Sequence, residues 1–178
     1  CMIEMTAAYA SIANAGTYTK PILHTQVLDH ECNFRLDDST PDTHQVIKDS
    51  TAALLTSAMQ DVITKGTGTA ARMANMPVAG KTGTTENSTD LWLSAYTPYY
   101  TAAVWGGYDS NKPMESMNQS WHMTLWKNIM ERVHEGLPYK DFTMPASVQQ
   151  KTICTQTGLL ATSSCPALTE YFAEGTVP

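Results

Sequence analysis

Apolar residues recur every three or four positions in three stretches of the chain, and extended aliphatic and aromatic runs lie between them. Met5, Tyr9, Ile12 and Ala13 share one face of a helix predicted over residues 3–15, which Gly16 ends. Tyr18 and Pro21 break that period, and Ile22 to Leu28, rich in long apolar and β-branched residues, reads as a strand. Residues 29–45 are polar and acidic with no usable period, a loop or a ragged hairpin. A second helix is predicted over 50–64, capped by Asp49 or Ser50, with a stripe of Leu54, Leu55, Ala58, Met59, Val62 and Ile63 and a stop at Lys65-Gly66. Three strands follow, Val78 to Thr85, Leu91 to Thr97 and Tyr99 to Tyr108. The turns joining them are too short for parallel crossovers, so the strands must be antiparallel neighbours. A third helix is predicted from Met117 to about Glu135, with Met117, Trp121, Leu125, Ile129 and Val133 as its core face and Trp126 and Met130 widening it. Beyond residue 140 the period vanishes among Thr, Ser, Gln, Gly and Pro. Helices covering an antiparallel sheet make the fold class α+β.

Composition narrows this picture. With 178 residues and 42% hydrophobic content, the chain can bury the core of one domain. Its net charge of -6 is spread along the length without a basic cluster, which argues against nucleic-acid binding. No apolar run is long enough to span a bilayer and no export signal opens the chain. The start, Cys1-Met2-Ile3, reads as a chain processed, excised or built from a longer product. The five histidines and four cysteines show no metal-ligand spacing, so no metal is expected. Cys154 and Cys165 bracket a short loop and are either a disulfide or two independent thiols.

The candidate chemistry lies in Pro77-Val78-Ala79-Gly80-Lys81-Thr82-Gly83-Thr84-Thr85. Its lysine and hydroxyls are donors suited to an anion, and its glycines let a second molecule approach the backbone. A turn with a surface lysine accounts for the same letters. Gly80-Lys81-Thr82 is not a phosphate-binding loop, because Asn75 stands where that motif needs glycine and strands follow instead of a helix.

Lys81-Thr82-Gly83-Thr84-Thr85, then Asp90-Leu91-Trp92 and Tyr96-Thr97-Pro98, resembles the penicillin-binding proteins, and among them the transpeptidase domain of the bifunctional class A type. Glu4-Met5-Thr6-Ala7-Ala8-Tyr9, Ala13-Asn14-Ala15-Gly16 and Gly66-Thr67-Gly68-Thr69-Ala70 are similar to upstream segments of that family. Gly158-Leu159-Leu160-Ala161-Thr162, Cys165-Pro166, Phe172, Gly175 and Pro178 resemble the tail of its Gram-positive members. The resemblance implies the C-terminal part of a β-lactamase/transpeptidase-like fold over residues 1–140 and an irregular tail over 141–178, tethered if Cys154 and Cys165 pair. It implies catalytic roles for Lys81 and Thr84, substrate contacts from Thr82, Gly83, Thr84 and Thr85, and structural roles beside the cleft for Asp90 and Trp92. No cofactor is implied. The implied ligand is a D-Ala-D-Ala stem peptide of peptidoglycan or a β-lactam.

No serine in the chain is followed by lysine three residues later. In the family, Ser-x-x-Lys and Ser-x-Asn both precede the segment resembling Glu4 onward, so the resemblance implies that neither motif lies in this chain. The nucleophile, its base and one or more strands would be upstream, with a glycosyltransferase domain and a membrane anchor. Without that serine no covalent acylation is possible. Three expectations follow: half of a transpeptidase whose N-terminal half is a separate chain, an inactive fragment, or a non-catalytic cell-wall peptide-binding module. The parent protein would work at the extracellular face of the membrane, touching the membrane only through its own anchor.

Overall fold

A computed structural model describes residues 1–114 and 118–178. Helix α1 (Met2–Ala13) is followed by the short strands β1 (Thr17–Thr19), β2 (Gln26–Leu28), β3 (Phe34–Asp37) and β4 (Thr43–Gln45). Helix α2 (Asp49–Thr64) leads through a 3-10 turn at Thr69–Ala71 to β5 (Ala79–Thr84), β6 (Asp90–Tyr96) and β7 (Thr101–Gly107). Helix α3 (Trp121–Val133) and a hairpin of β8 (Val148–Cys154) and β9 (Ala167–Ala173) complete the chain.

The central sheet has the order β5-β6-β7, antiparallel throughout, as the short turns require. On one face Leu93, Ala95 and Val78 pack against Met123, Trp126 and Met130 of α3, together with Ile63, Ala71, Met73 and Met76. On the other, Ala79 and Tyr96 meet Met59 of α2, with Tyr9, Ile12 and Phe142 around them. Gly80 lets β5 and β6 close. A Cβ there would lie 2.4 Å from the Ala95 Cβ and 2.8 Å from both the Ala95 Cα and the Ser94 oxygen, two of the three being backbone atoms. Gly80→Ala is therefore expected to destabilise the fold by about 3 kcal/mol, read as a lowered urea midpoint.

Several expectations change. The third helix presents His122, Met123, Trp126, Met130 and His134 to the core, while Leu125, Ile129 and Val133 are 43, 48 and 46% exposed. Its core face is thus centred on Trp126 and Met130, the margin of the predicted stripe, about 100° around from the stripe's main row. Trp126 sets this rotation: its ring is buried and its indole N–H donates to the Ala102 carbonyl at 3.0 Å. Met117, the predicted first member of the stripe, lies outside the described residues. Helix α2 likewise buries Ala52, Ala53, Thr56, Met59 and Ile63 and leaves Leu55 exposed. Its face is centred on Thr56, whose hydroxyl meets the buried Tyr96 hydroxyl at 2.7 Å.

The strand expected at 22–28 shrinks to Gln26–Leu28 and pairs with β3 in an exposed hairpin, Leu23 being 88% exposed. Its turn is held locally by the Asp29 carboxylate, which accepts the Glu31 and Asn33 N–H groups at 2.9 Å each. β4 pairs with β1, Tyr18 opposite His44. The tail expected to be irregular holds a seven-residue ladder from Val148 opposite Ala173 to Cys154 opposite Ala167. Backbone bonds and the Cys154–Cys165 disulfide, Cα to Cα 5.6 Å, order it without an amphipathic period.

Two buried titratable groups give the fold a pH window. Burial pushes the Tyr96 hydroxyl up to about 12, with Thr56 partly opposing. A hydroxyl ionising near 12 folded and near 10 unfolded contributes about 3 kcal/mol, fully present below pH 10 and lost as pH rises from 10 to 12. Burial pushes the His122 imidazole below its ordinary 6.5, with a hydrogen bond to the Trp92 backbone partly opposing. The unfolded chain therefore takes up this proton first, so stability falls as pH drops below 6.5. Urea midpoints are expected to be highest between about pH 7 and 10 and lower on both sides.

Candidate active site

β5 is an edge strand of the central sheet, so one side of it has no strand neighbour among the described residues. The Thr85 N–H donates to the Asp90 carbonyl at 3.2 Å. Alternation along an antiparallel ladder then turns the N–H and C=O groups of Lys81 and Gly83 toward β6, and those of Thr82 and Thr84 toward the open side. The Lys81 ammonium donates to the Thr82 carbonyl at 2.8 Å, which places that carbonyl at the open edge.

Side chains alternate across the sheet as well. Lys81 is on the same face as Ser94, its partner, whereas Thr82 and Thr84, opposite Leu93 and Leu91, are on the other. The ammonium and the two hydroxyls thus straddle the edge. Among the described residues the Lys81 charge has no carboxylate partner, so it supplies positive potential to an otherwise acidic chain. The Thr82 hydroxyl meets the Thr67 hydroxyl at 2.7 Å, which brings the Gly66–Thr69 join beside the strand. Gly83 lies over Trp92, where an added Cβ would sit 3.2 Å from the Trp92 Cβ. Trp92 packs against Trp105 with ring centroids 6.3 Å apart.

Thr85, expected at the substrate, has its hydroxyl committed to the turn. It lies 2.7 Å from the Thr89 hydroxyl and accepts the Asp90 N–H at 2.8 Å. The Tyr96-Thr97-Pro98 segment is anchored from behind, a network not anticipated from the sequence. His134 donates from Nδ1 to the Met130 carbonyl at 2.7 Å, which leaves Nε2 to accept the Thr97 hydroxyl at 2.8 Å. The Thr97 oxygen in turn accepts the Tyr99 and Tyr100 N–H groups at 3.1 Å each. A threonine immediately before Pro98, in so short a turn, was the available signal.

The chain does contain a Ser-x-Asn spelling, Ser116-Met117-Asn118, against the expectation that it has none. It follows Lys81 instead of preceding it, and Ser116 and Met117 lie outside the described residues. The Asn118 carboxamide oxygen is engaged by the Ser120 N–H at 3.0 Å and the Ser120 hydroxyl at 2.8 Å. Two cavities, of about 260 and 490 Å³, flank α1 on the Tyr96 side of the sheet, and neither is lined by residues of the Lys81–Thr85 edge.

The family described as the penicillin-binding protein transpeptidase domain matches residues 2–131, and that described as the penicillin-binding protein 1A C-terminal domain matches residues 144–178. Penicillin-binding protein 1A of Clostridium botulinum is 35% identical over 182 residues, covering 98% of this chain and 22% of that protein. The namesake from Clostridium perfringens is 33% identical over 161 residues, covering 90% of this chain and 19% of its own length. The chain therefore spans about a fifth of these relatives. The crystal structure of penicillin-binding protein 1A from Haemophilus influenzae superposes with a TM-score of 0.84 over 99% of this chain and 32% of that one; at 22% identity it bears on the fold alone. The penicillin-binding protein PonA1 from Mycobacterium tuberculosis, 28% identical, superposes with a TM-score of 0.72 over 82% of this chain and 41% of its own. By sequence along most of its length and by fold, the chain belongs to the penicillin-binding protein transpeptidase family.

Proposed function

We propose that this chain supplies one wall of the acyl-transfer cleft of a serine-type D-Ala-D-Ala transpeptidase that cross-links peptidoglycan. The observation that carries the reading is the open Lys81–Thr84 edge, with the Thr84 amide turned outward and beside it an ammonium that has no carboxylate partner among the described residues. A stem peptide or a β-lactam lies along this edge as an added strand. The Thr82 and Thr84 hydroxyls receive its terminal carboxylate, and Lys81 holds the cleft positive. A serine outside these 178 residues gives its proton to a base, also outside them, and its oxygen attacks the penultimate D-Ala carbonyl carbon. The carbonyl π electrons move to oxygen, and the Thr84 N–H and the N–H of that serine stabilise the oxyanion. Collapse expels the terminal D-Ala as an amine that takes a proton, leaving an acyl-enzyme for a second stem peptide's amine. The rest of the domain is carried by a longer polypeptide or by a separate chain, at the extracellular face of the membrane. Among the described residues no helix is long and apolar enough to cross a bilayer.

Because no serine here has the Ser-x-x-Lys setting, the chain alone is expected to carry no covalent label after incubation with a fluorescent penicillin. Intact-mass measurement reads the result, and an adduct on residues 1–178 would refute the external nucleophile. Label on a serine elsewhere in the full-length protein supports the transpeptidase. Reversible binding with no label anywhere would instead indicate a non-catalytic peptide-binding module.

A further inference from the structure

We propose that Asp90 is a positioning residue for the Thr84 amide, an inference that rests on the acyl-transfer reading above. Thr84 is the last residue of β5, between Gly83, which is backbone-paired to Trp92, and Thr85, which is bonded to Asp90. The direction of its outward N–H is held only as firmly as both neighbours are held. On the Gly83 side the ladder suffices. On the Thr85 side the strand has ended, and a cluster around one carboxylate replaces it.

Asp90 Oδ1 accepts the Trp105 indole N–H from β7 at 2.9 Å. Asp90 Oδ2 lies 3.2 and 3.3 Å from the Thr85 and Thr89 hydroxyls and accepts from this pair, which also share a hydrogen bond at 2.7 Å, and the Asp90 N–H donates to the Thr85 hydroxyl oxygen at 2.8 Å. One side chain therefore joins the end of β5, the turn and the far strand of the sheet. Gly107, opposite Asp90, leaves the room this needs, since a Cβ there would stand 2.9 Å from Asp90 Oδ1.

The turn requires such a tie. Asn87 and Ser88 have φ values of 57° and 53°, a left-handed conformation that asparagine tolerates but serine seldom adopts without support from its surroundings. Without the carboxylate, this turn relaxes and the Thr85–Asp90 pair frays. The Thr84 N–H then swings away from the direction a developing oxyanion would require. The consequence falls on the transition state more than on ground-state binding.

The test uses the full-length protein and separates the acylation rate constant from the dissociation constant for a fluorescent penicillin. Asp90→Ala is expected to lower the rate constant about tenfold and to leave the dissociation constant within about twofold. Trp105→Phe removes one of the carboxylate's bonds but keeps an aromatic ring, and is expected to lower the rate constant about threefold with unchanged melting behaviour. It covers the case in which Asp90→Ala does not fold. Rate constants at the wild-type value in folded variants, or equal losses in rate and binding, would overturn the positioning role. Thr84→Pro is measured alongside. If it acylates at the normal rate, the oxyanion reading itself fails and this inference with it. If it is slow while Asp90→Ala is normal, only the inference fails.

Discussion

Thr84→Pro in the full-length protein is expected to slow penicillin acylation by about 100- to 1000-fold, the usual effect of removing one oxyanion donor. Proline deletes the N–H that faces the open side of β5 and leaves the bonds of Lys81, Gly83 and Thr85 to β6 in place. Edge positions with an outward N–H are where sheets tolerate proline, so the loss is expected without unfolding. Thr84→Ala removes the hydroxyl but keeps the amide. It is expected to weaken binding by a few fold and to leave most of the acylation rate intact. A thermal melt of each variant checks the fold, and stopped-flow labelling reads the rates. Equal losses for proline and alanine would move the oxyanion donor away from the Thr84 backbone.

The largest stability effect is expected at Trp126. Its ring is 1% exposed at the centre of the cluster joining α3 to the sheet, and its indole N–H is tied to the Ala102 carbonyl. Trp126→Ala is expected to cost about 3–5 kcal/mol, from the cavity and from the lost indole hydrogen bond. That is a large fraction of the stability of an ordinary domain. Ile129→Ala, on the exposed side of the same helix, is expected to cost about 1 kcal/mol or less. Denaturant titrations of the two variants compare them directly. Similar costs would mean that α3 is turned toward the sheet as its leucine and isoleucine stripe suggests, and not as Trp126 places it.

That contrast shows where the sequence was legible. The β5-β6-β7 meander could be read because Glu86 to Thr89 and the Pro98 turn are too short for any other connection. Placing Lys81 to Thr84 on the first of these strands followed from the same constraint. The centre of the α3 face could not be read by counting apolar positions, although Trp126 and Met130 fell within the predicted stripe. Two rows one residue apart both carry large side chains, and only the contact of Trp126 with β7 distinguishes them. The stripe on α2 held at Met59 and Ile63 but missed the centre of the face for a related reason: the polar Thr56 is drawn inward by a hydroxyl from another element. The β2–β3 and β8–β9 hairpins bury too little to impose a two-residue alternation, so the ladders at Val27–Leu36 and Thr152–Thr169 leave almost no trace in composition. Within the site, the strand was visible and its latch was not. Thr85 looked like part of a hydroxyl-rich ligand surface until Asp90 and Thr89 accounted for its oxygen.

A crystal structure of the full-length protein acylated by a penicillin tests the site most directly. The ester is expected on a serine outside residues 1–178, with the acyl carbonyl oxygen about 2.7–3.1 Å from the Thr84 amide nitrogen and the drug's carboxylate at the Thr82 and Thr84 hydroxyls. A carbonyl oxygen held by other donors, with the β5 edge left bare, would contradict the assignment of Lys81 to Thr84 as the wall of the cleft.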